Sequence, residues 1–92
     1  MATFSKGTVN AFVRDGEERV AKADRNVKFF QNSLSNAETP QDKKYFREAV
    51  HHWKLMKQRE EKDLAKWRYV QKRLGGQDSV TIPDSILKEK GD

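Results

Sequence analysis

Cysteine is absent from this chain, and proline and glycine are scarce. The 92 residues include no cysteine, two prolines and five glycines. The lack of cysteine excludes disulfide scaffolds, thiolate zinc sites and cysteine nucleophiles. The scarcity of proline and glycine leaves long stretches in which nothing interrupts a helix.

Long hydrophobic runs are also missing. No window approaches the roughly eighteen apolar residues of a membrane span, and the opening MATFSKGTVNAFV lacks the apolar core of a secretory signal. We therefore expect a cytoplasmic protein that does not enter the membrane. No glycine-rich phosphate loop, nucleophile elbow or His-Asp-Ser constellation occurs, so we expect no enzymatic activity, cofactor, metal or small-molecule substrate.

Charge is abundant and unevenly distributed. Charged residues make up 36% of the chain, hydrophobic residues 35%, and the formal net charge is +5. Residues 40–74 hold eleven basic and five acidic residues, whereas residues 75–92 hold two and four. This asymmetry indicates either an anionic partner for the basic stretch or an internal contact between that stretch and the acidic tail.

The basic stretch predicts one long amphipathic helix over residues 40–74. Thr39 is a preferred N-cap, Pro40 is tolerated at the first helical position, and Gly75-Gly76 should end the helix. The apolar residues recur at three- and four-residue steps, the period of a helix packed on another helix. They are Phe46, Ala49, Val50, Trp53, Met56, Leu64, Trp67, Val70 and Leu74.

A matching stripe predicts a first helix over residues 8–34. A glycine inside a helix costs about 1 kcal/mol relative to alanine, so Gly16 leaves two interpretations. We favour one continuous helix because Val13 and Val20 keep the same phase, and the alternative is a short extra N-terminal helix broken at Gly16. The stripe consists of Val9, Val13, Val20, Ala23, Val27, Phe30 and Leu34.

The short connection at residues 35–40 makes the two helices antiparallel neighbours. The predicted fold class is therefore all-α, a coiled-coil-like two-helix hairpin at residues 8–74. Residues 1–7 are predicted to be a flexible N-terminus. Residues 75–92 are predicted to be a linker and a short C-terminal docking segment with one helical turn after Pro83.

Folding the chain at its turn predicts which residues meet, within a residue or two. The predicted neighbours are Phe30 with Tyr45 and Phe46, Val27 with Ala49, Ala23 with Trp53, and Val20 with Met56. Farther along, the seam should become polar. Glu60 and Asp63 should face Gly16 and Val13, with Arg14 and Arg19 close enough to pair. The alternative is that these charged side chains point into solvent.

Several apolar side chains are too exposed or too large to be covered by one partner helix. Phe29 and Leu55 fall where the periodicity predicts water, and a tryptophan is larger than a two-helix seam covers. Exposed apolar patches mark contacts with other chains. The candidate residues for a protein interface are Phe29, Leu55, Trp53, Trp67 and Tyr69.

The face of the second helix opposite the seam carries a row of basic residues. Spaced positive charge can follow phosphates, and an aromatic ring among the charges can stack on a base. The alternative is that lysines on this face only keep the helix solvated. The candidate nucleic-acid-binding residues are Lys44, Arg47, His51, Lys54, Lys62, Lys66, Tyr69, Lys72 and Arg73.

These patterns favour a non-enzymatic helical hairpin that acts in protein–protein contacts or as a structural assembly component, with a protein partner or further copies of itself. Its size, lack of cysteine and lack of targeting signals fit a small phage or viral protein. Such a protein is either part of a virion or a factor that binds a host protein in the host cytoplasm. The alternative hypothesis is a small RNA- or DNA-binding hairpin that uses the basic face.

Overall fold

Two long helices joined by a tight turn form most of the molecule. The computed structural model describes residues 1–86. In chain order the elements are strand β1 (Ala2–Ser5), helix α1 (Lys6–Asn36), helix α2 (Pro40–Leu74) and strand β2 (Ser79–Ile82). The two helices pack along each other as an antiparallel pair, which confirms the predicted hairpin.

The ends of α2 are fixed by the residues that the sequence indicated. The Thr39 hydroxyl accepts a hydrogen bond from the Asp42 backbone N–H at 3.1 Å, and Pro40 occupies the first turn. At the other end Gly75 has φ 59°, a left-handed conformation that favours glycine, and its N–H donates to the Gln71 carbonyl at 3.3 Å. Both helix boundaries therefore follow from local chemistry.

Helix α1 is continuous through Gly16, as the favoured interpretation predicted. It begins at Lys6, two residues earlier than expected, because Ser5 acts as the N-cap and its hydroxyl accepts from the Thr8 N–H at 3.3 Å. It ends at Asn36. The alternative of a separate short N-terminal helix is wrong.

The seam beside Gly16 differs by about one turn from the predicted register. Leu64, not Glu60, lies opposite Gly16, and a Cβ added to the glycine would come within 3.1 Å of Leu64 Cδ1. Glu60 and Asp63 lie at the edge of the seam, where their side chains are 23% and 31% exposed. Their carboxylates are 4.0 and 3.9 Å from Arg19 Nη1, so the expected pairing with Arg19 is confirmed.

The segments on either side of the hairpin form a two-stranded antiparallel sheet, which we call the clasp. Strands β1 and β2 lie where the sequence predicts a flexible segment at residues 1–7 and a linker after α2. Ala2 lies opposite Ile82 and Ser5 opposite Ser79. Periodicity gave no signal because each strand has only four residues and its partner lies at the far end of the chain.

The helical turn predicted after Pro83 is present in part. Residues 84–86 are helical, and the Ile86 N–H donates to the Pro83 carbonyl at 3.1 Å. Leu87, which the same prediction included, lies outside the described residues.

The best-packed core lies at the open end of the hairpin, under the clasp. Val9, Val70 and Ile82 have no exposed surface, and Leu74 keeps 2%. Phe4, Trp67, Val80 and Ile86 pack around these four residues. Strand β2 therefore closes the end of the hairpin that the two helices cannot cover by themselves.

The core becomes thinner toward the turn. Between Ala23 and the turn, the only buried residues of the described chain are Val27 and Val50, which keep 7% and 8% of their surface exposed. Within residues 1–86, neither helix contains an apolar stretch long enough to cross a bilayer.

Candidate interaction surfaces

Four aromatic rings cross the hairpin next to the turn. Phe29 and Phe30 are consecutive on α1, and Tyr45 and Phe46 are consecutive on α2. The ring centroids are 5.1 Å apart for Phe29 and Phe30, 6.3 Å for Phe30 and Phe46, and 5.2 Å for Phe46 and Tyr45. We call this continuous row the aromatic band. The contact between Phe30 and Phe46 that the sequence predicted lies at its centre.

The aromatic band is covered at its centre and open at both ends. Consecutive residues on a helix point about 100° apart, so each pair has one ring toward the seam and one away from it. Phe30 and Phe46 are half-buried, whereas Phe29 and Tyr45 each keep 62% of their surface exposed. Exposed aromatic groups beside a packed centre are typical of a surface that contacts another chain.

Leu55 and Trp53 are apolar residues of α2 that lie on different faces of the helix. Leu55 keeps 47% exposure on the side away from α1. Trp53 is half-buried beside the seam, where it lines one cavity together with Ala23 and Met56. The predicted proximity of Ala23 and Trp53 is therefore confirmed, and Leu55 is the more accessible of the two interface candidates.

Trp67, one of the predicted interface residues, makes its aromatic contacts within the molecule. Its ring contacts Phe4 of the clasp edge-on at 5.1 Å and Phe12 of α1 at 4.5 Å. The Lys66 ammonium lies 5.0 Å from the same ring. Trp67 therefore joins the clasp to the hairpin, and its size, which two helices alone would not cover, is covered largely by Phe4 and Phe12.

The outer face of α2 carries an unbroken row of exposed side chains, which we call the basic stripe. Successive members are three or four residues apart and therefore share one face of the helix. All of them are exposed, and none is acidic. The basic stripe consists of Lys44, Arg47, His51, Lys54, Gln58, Lys62, Ala65, Tyr69 and Lys72.

Three of the predicted nucleic-acid-binding residues need separate comment. Tyr69 is 39% exposed, and its hydroxyl accepts a hydrogen bond from Arg73 Nη1 at 3.2 Å, so Arg73 is held beside the basic stripe. Lys66 does not belong with them. Its side chain is only 12% exposed and pairs with Asp63 at 3.1 Å.

The acidic groups that form ion pairs lie along the flanks of the seam, whereas the exposed Glu48 lies on the outer face of α2 next to Lys44 and His51. Asp24 receives Lys57 Nζ at 2.8 Å and Lys28 Nζ at 3.0 Å, and Glu17 pairs with Arg68 at 3.3 Å. The hydrogen bonds from the two lysines hold the pKa of Asp24 below its usual value, and Asp24 in turn raises the pKa of Lys57. The ion pairs Lys57–Asp24 and Arg68–Glu17 therefore link α2 to α1.

The charges of the basic stripe are not neutralised in this way. Among residues 1–86, no carboxylate lies within ion-pair distance of any Lys or Arg in the stripe. The cationic excess that the sequence placed on α2 is thus concentrated on its outer face. This face can attract an anionic partner along its whole length.

Sequence reasoning missed two exposed aromatic residues. Tyr45 was expected at the seam beside Phe30, yet it keeps 62% exposure, and Phe12 keeps 38% although it contacts Trp67. The signal for the aromatic band was present in the sequence as two aromatic doublets, Phe29-Phe30 and Tyr45-Phe46, at similar distances from the turn. Each doublet must expose one ring when the other enters the seam.

Comparisons with protein-family models, with curated proteins and with solved structures found no match to this chain. Within the described part of the chain, no three His, Asp or Glu side chains are grouped so that they could hold a metal ion. The two candidate interaction surfaces of the described chain are the aromatic band and the basic stripe.

Proposed function

We propose that this protein is a non-enzymatic assembly component that self-associates through the turn half of its hairpin. The observation that carries the proposal is the aromatic band, in which the central rings are packed while Phe29 and Tyr45 each remain 62% exposed. Leu55 adds a further exposed apolar side chain on α2. Water contact at these positions is unfavourable, and another protein surface would remove it.

The exposed area of the whole chain supports association. A folded monomer of 10.7 kDa typically exposes about 5,500 Å², whereas this elongated molecule exposes 6587 Å². The difference, on the order of 1,000 Å², resembles the roughly 800 Å² that each partner contributes to a stable interface.

A second copy of the chain suits this surface. A two-fold interface uses the same patch on both molecules. One such interface would therefore cover Phe29 and Tyr45 of each copy. Residues 25–50 contain five basic and three acidic residues, so opposed copies present charges of both signs to each other. A dimer of hairpins is also the arrangement that turns a thin two-helix layer into a bundle with a central core.

Light scattering and native mass spectrometry test the proposal. We expect a dimer or larger oligomer for the natural chain, and a monomer with unchanged helical circular dichroism for the double variant Phe29→Asp/Tyr45→Asp. Ala11→Asp/Ala21→Asp is a matched control, because it also adds two carboxylates at exposed positions, and both alanines lie on α1 outside the aromatic band. A natural chain that stays monomeric at every concentration overturns the proposal. Self-association that survives the double variant overturns the placement of the interface.

The phage or viral origin, the cytoplasmic or virion location and a host protein partner stay predictions from the sequence alone. The test of self-association does not depend on any of them.

A further inference from the structure

We infer that the outer face of α2 binds single-stranded nucleic acid along its phosphate backbone. The basic stripe has nine exposed positions, of which five are Lys or Arg, one is histidine and none is acidic. From Lys44 to Lys72 it extends about 42 Å along the helix. All nine positions are exposed, so the hairpin's own packing leaves this surface open.

The distribution of ion pairs separates this face from an ordinary solvated helix surface. On such a surface, acidic residues usually alternate with lysines and offset their charge. Here the ion-paired carboxylates of both helices lie beside the seam, where Asp24, Glu60 and Asp63 engage Lys57, Lys28, Lys66 and Arg19. Five cations at three- to ten-residue intervals therefore act together on a polyanion.

The length of the surface favours a single strand over a duplex. The molecule measures 56 × 22 × 13 Å and α2 is one uninterrupted helix, so the basic stripe runs lengthwise along one side of a rod. The phosphates of a duplex wind around its axis and meet a straight line only where the strands cross it. A flexible single strand can lie along the whole stripe and place a phosphate near each cation.

Tyr69 supplies an aromatic ring on which a base could stack beside these charges. Its ring is 39% exposed within the basic stripe, between Lys62 and Lys72. The hydroxyl accepts from Arg73 Nη1 at 3.2 Å, which fixes a further guanidinium next to the ring. An aromatic ring among cations is the usual platform on which single-stranded nucleic acid stacks, without preference for one base.

Fluorescence anisotropy with a labelled single-stranded 20-mer tests the inference on the full chain across a salt series. We expect binding at low salt and a slope of about −3.5 for the logarithm of the association constant against the logarithm of salt concentration, because each of five neutralised phosphates contributes roughly −0.7. Absence of binding at low salt overturns the inference. A duplex of equal length that binds more tightly overturns the choice of a single strand.

Two double variants with the same net charge distinguish binding at the basic stripe from a general effect of the protein's net charge. Lys54→Glu/Lys62→Glu reverses two stripe cations, and Lys22→Glu/Arg25→Glu reverses two exposed cations of α1 outside it, so both lower the formal charge from +5 to +1. We expect the first to weaken binding tenfold or more and to reduce the slope by about 1.4. We expect the second to change affinity less than about threefold, and equal losses in both variants overturn the assignment to the basic stripe.

A ring variant and a competitor distinguish nucleic acid from any acidic polymer. Tyr69→Ala should weaken binding about fivefold or more through lost stacking, while Tyr69→Phe keeps the ring and should retain most of the affinity. Polyglutamate has the charge but no bases, so it should compete poorly with the oligonucleotide. Equal competition by polyglutamate, together with no effect of Tyr69→Ala, would show an acidic protein segment to be the better ligand and would overturn the inference.

Discussion

At the open end of the hairpin Val9 and Ile82 have no exposed surface, whereas at the turn end Phe29 and Tyr45 keep 62% of theirs. Both ends are built on the same pair of helices, so helix packing alone does not explain the contrast. The open end has a third element, because the clasp lies over it and Ile82 fills the space between α1 and α2. The turn end has no such cover among the described residues.

This contrast shows that a two-helix hairpin lacks a third layer over its seam. Two helices bury one stripe each and leave the sides of the seam in contact with water, so a compact core needs a further layer. The chain supplies that layer at the open end from its own residues. At the turn end the same need is left for another molecule, and the aromatic band is the part that remains uncovered.

The contrast between the two ends is tested most strongly by removing a side chain on which the packing of the open end depends. Ile82→Ala should lower the free energy of unfolding by about 2–4 kcal/mol, because it leaves a cavity between β2 and both helices. Leu55→Ala should cost less than about 1 kcal/mol, since Leu55 is 47% exposed. Urea denaturation followed by circular dichroism measures both values, and similar losses would contradict the contrast between the two ends.

A substitution between the two ends tests how closely the helices must approach. Gly16→Leu should destabilise the protein by about 1–3 kcal/mol, because the larger side chain would push Leu64 and α2 away. Gly16→Ala should be nearly neutral. Its gain of about 1 kcal/mol in helix propensity is offset by a Cβ 3.1 Å from a flexible leucine methyl. Thermal denaturation of the pair checks this order, and equal stability of both variants would contradict close packing at Gly16.

Whether a second copy covers the turn end can be tested by varying the protein concentration. If a second copy covers the aromatic band, mass action should raise the melting temperature of the natural chain as protein concentration increases. The variant Phe29→Asp/Tyr45→Asp should lose this dependence while its melting temperature at high dilution stays within a few degrees of the natural chain. A double variant that is unfolded at high dilution would show that the aromatic band stabilises the monomer instead.

The smallest expected effect concerns the ion pair in the middle of the hairpin. Hydrogen bonds from Lys57 and Lys28 lower the pKa of Asp24 from 3.8, so its contribution is present above the unfolded pKa and disappears as pH falls through the lower folded value. Asp24→Asn should therefore be slightly less stable than the natural chain at neutral pH and equally stable in strong acid. Solvent screening keeps the difference small. Denaturation midpoints across acidic pH check it, and a constant difference would contradict the assignment to ionised Asp24.

The helices could be predicted from the sequence because their signals are local. Thr39, Pro40 and Gly75 each act within one turn, and the apolar period identifies the faces that meet. The register between α1 and α2 could be predicted only to within about one turn. Leu64 and Glu60 are one turn apart on the same side of α2, and either could face Gly16. Only the geometry of the packed pair places Leu64 there.

The clasp and the role of Trp67 could not be predicted, because both depend on contacts between distant parts of the chain. Strands β1 and β2 have no turn between them and too few residues to show an alternating pattern. The apolar side chain of Phe4 could be expected to dock onto the hairpin, but nothing in the sequence indicates that it would meet Trp67. For the interaction surfaces, composition identified the basic face of α2, but only the structure showed that Lys66 is held in an ion pair with Asp63.

The pairing of Ala2 with Ile82 has a consequence for the order in which the molecule forms. These residues are the farthest apart in sequence of any paired residues in the sheet, and bringing them together from an open chain carries a large entropy of loop closure. Once α1 and α2 have met across their three-residue turn, the two strands are already neighbours. The clasp should therefore form last and open first, so that amide hydrogens of β1 and β2 exchange faster than those of the helix centres although they lie beside the best-buried core.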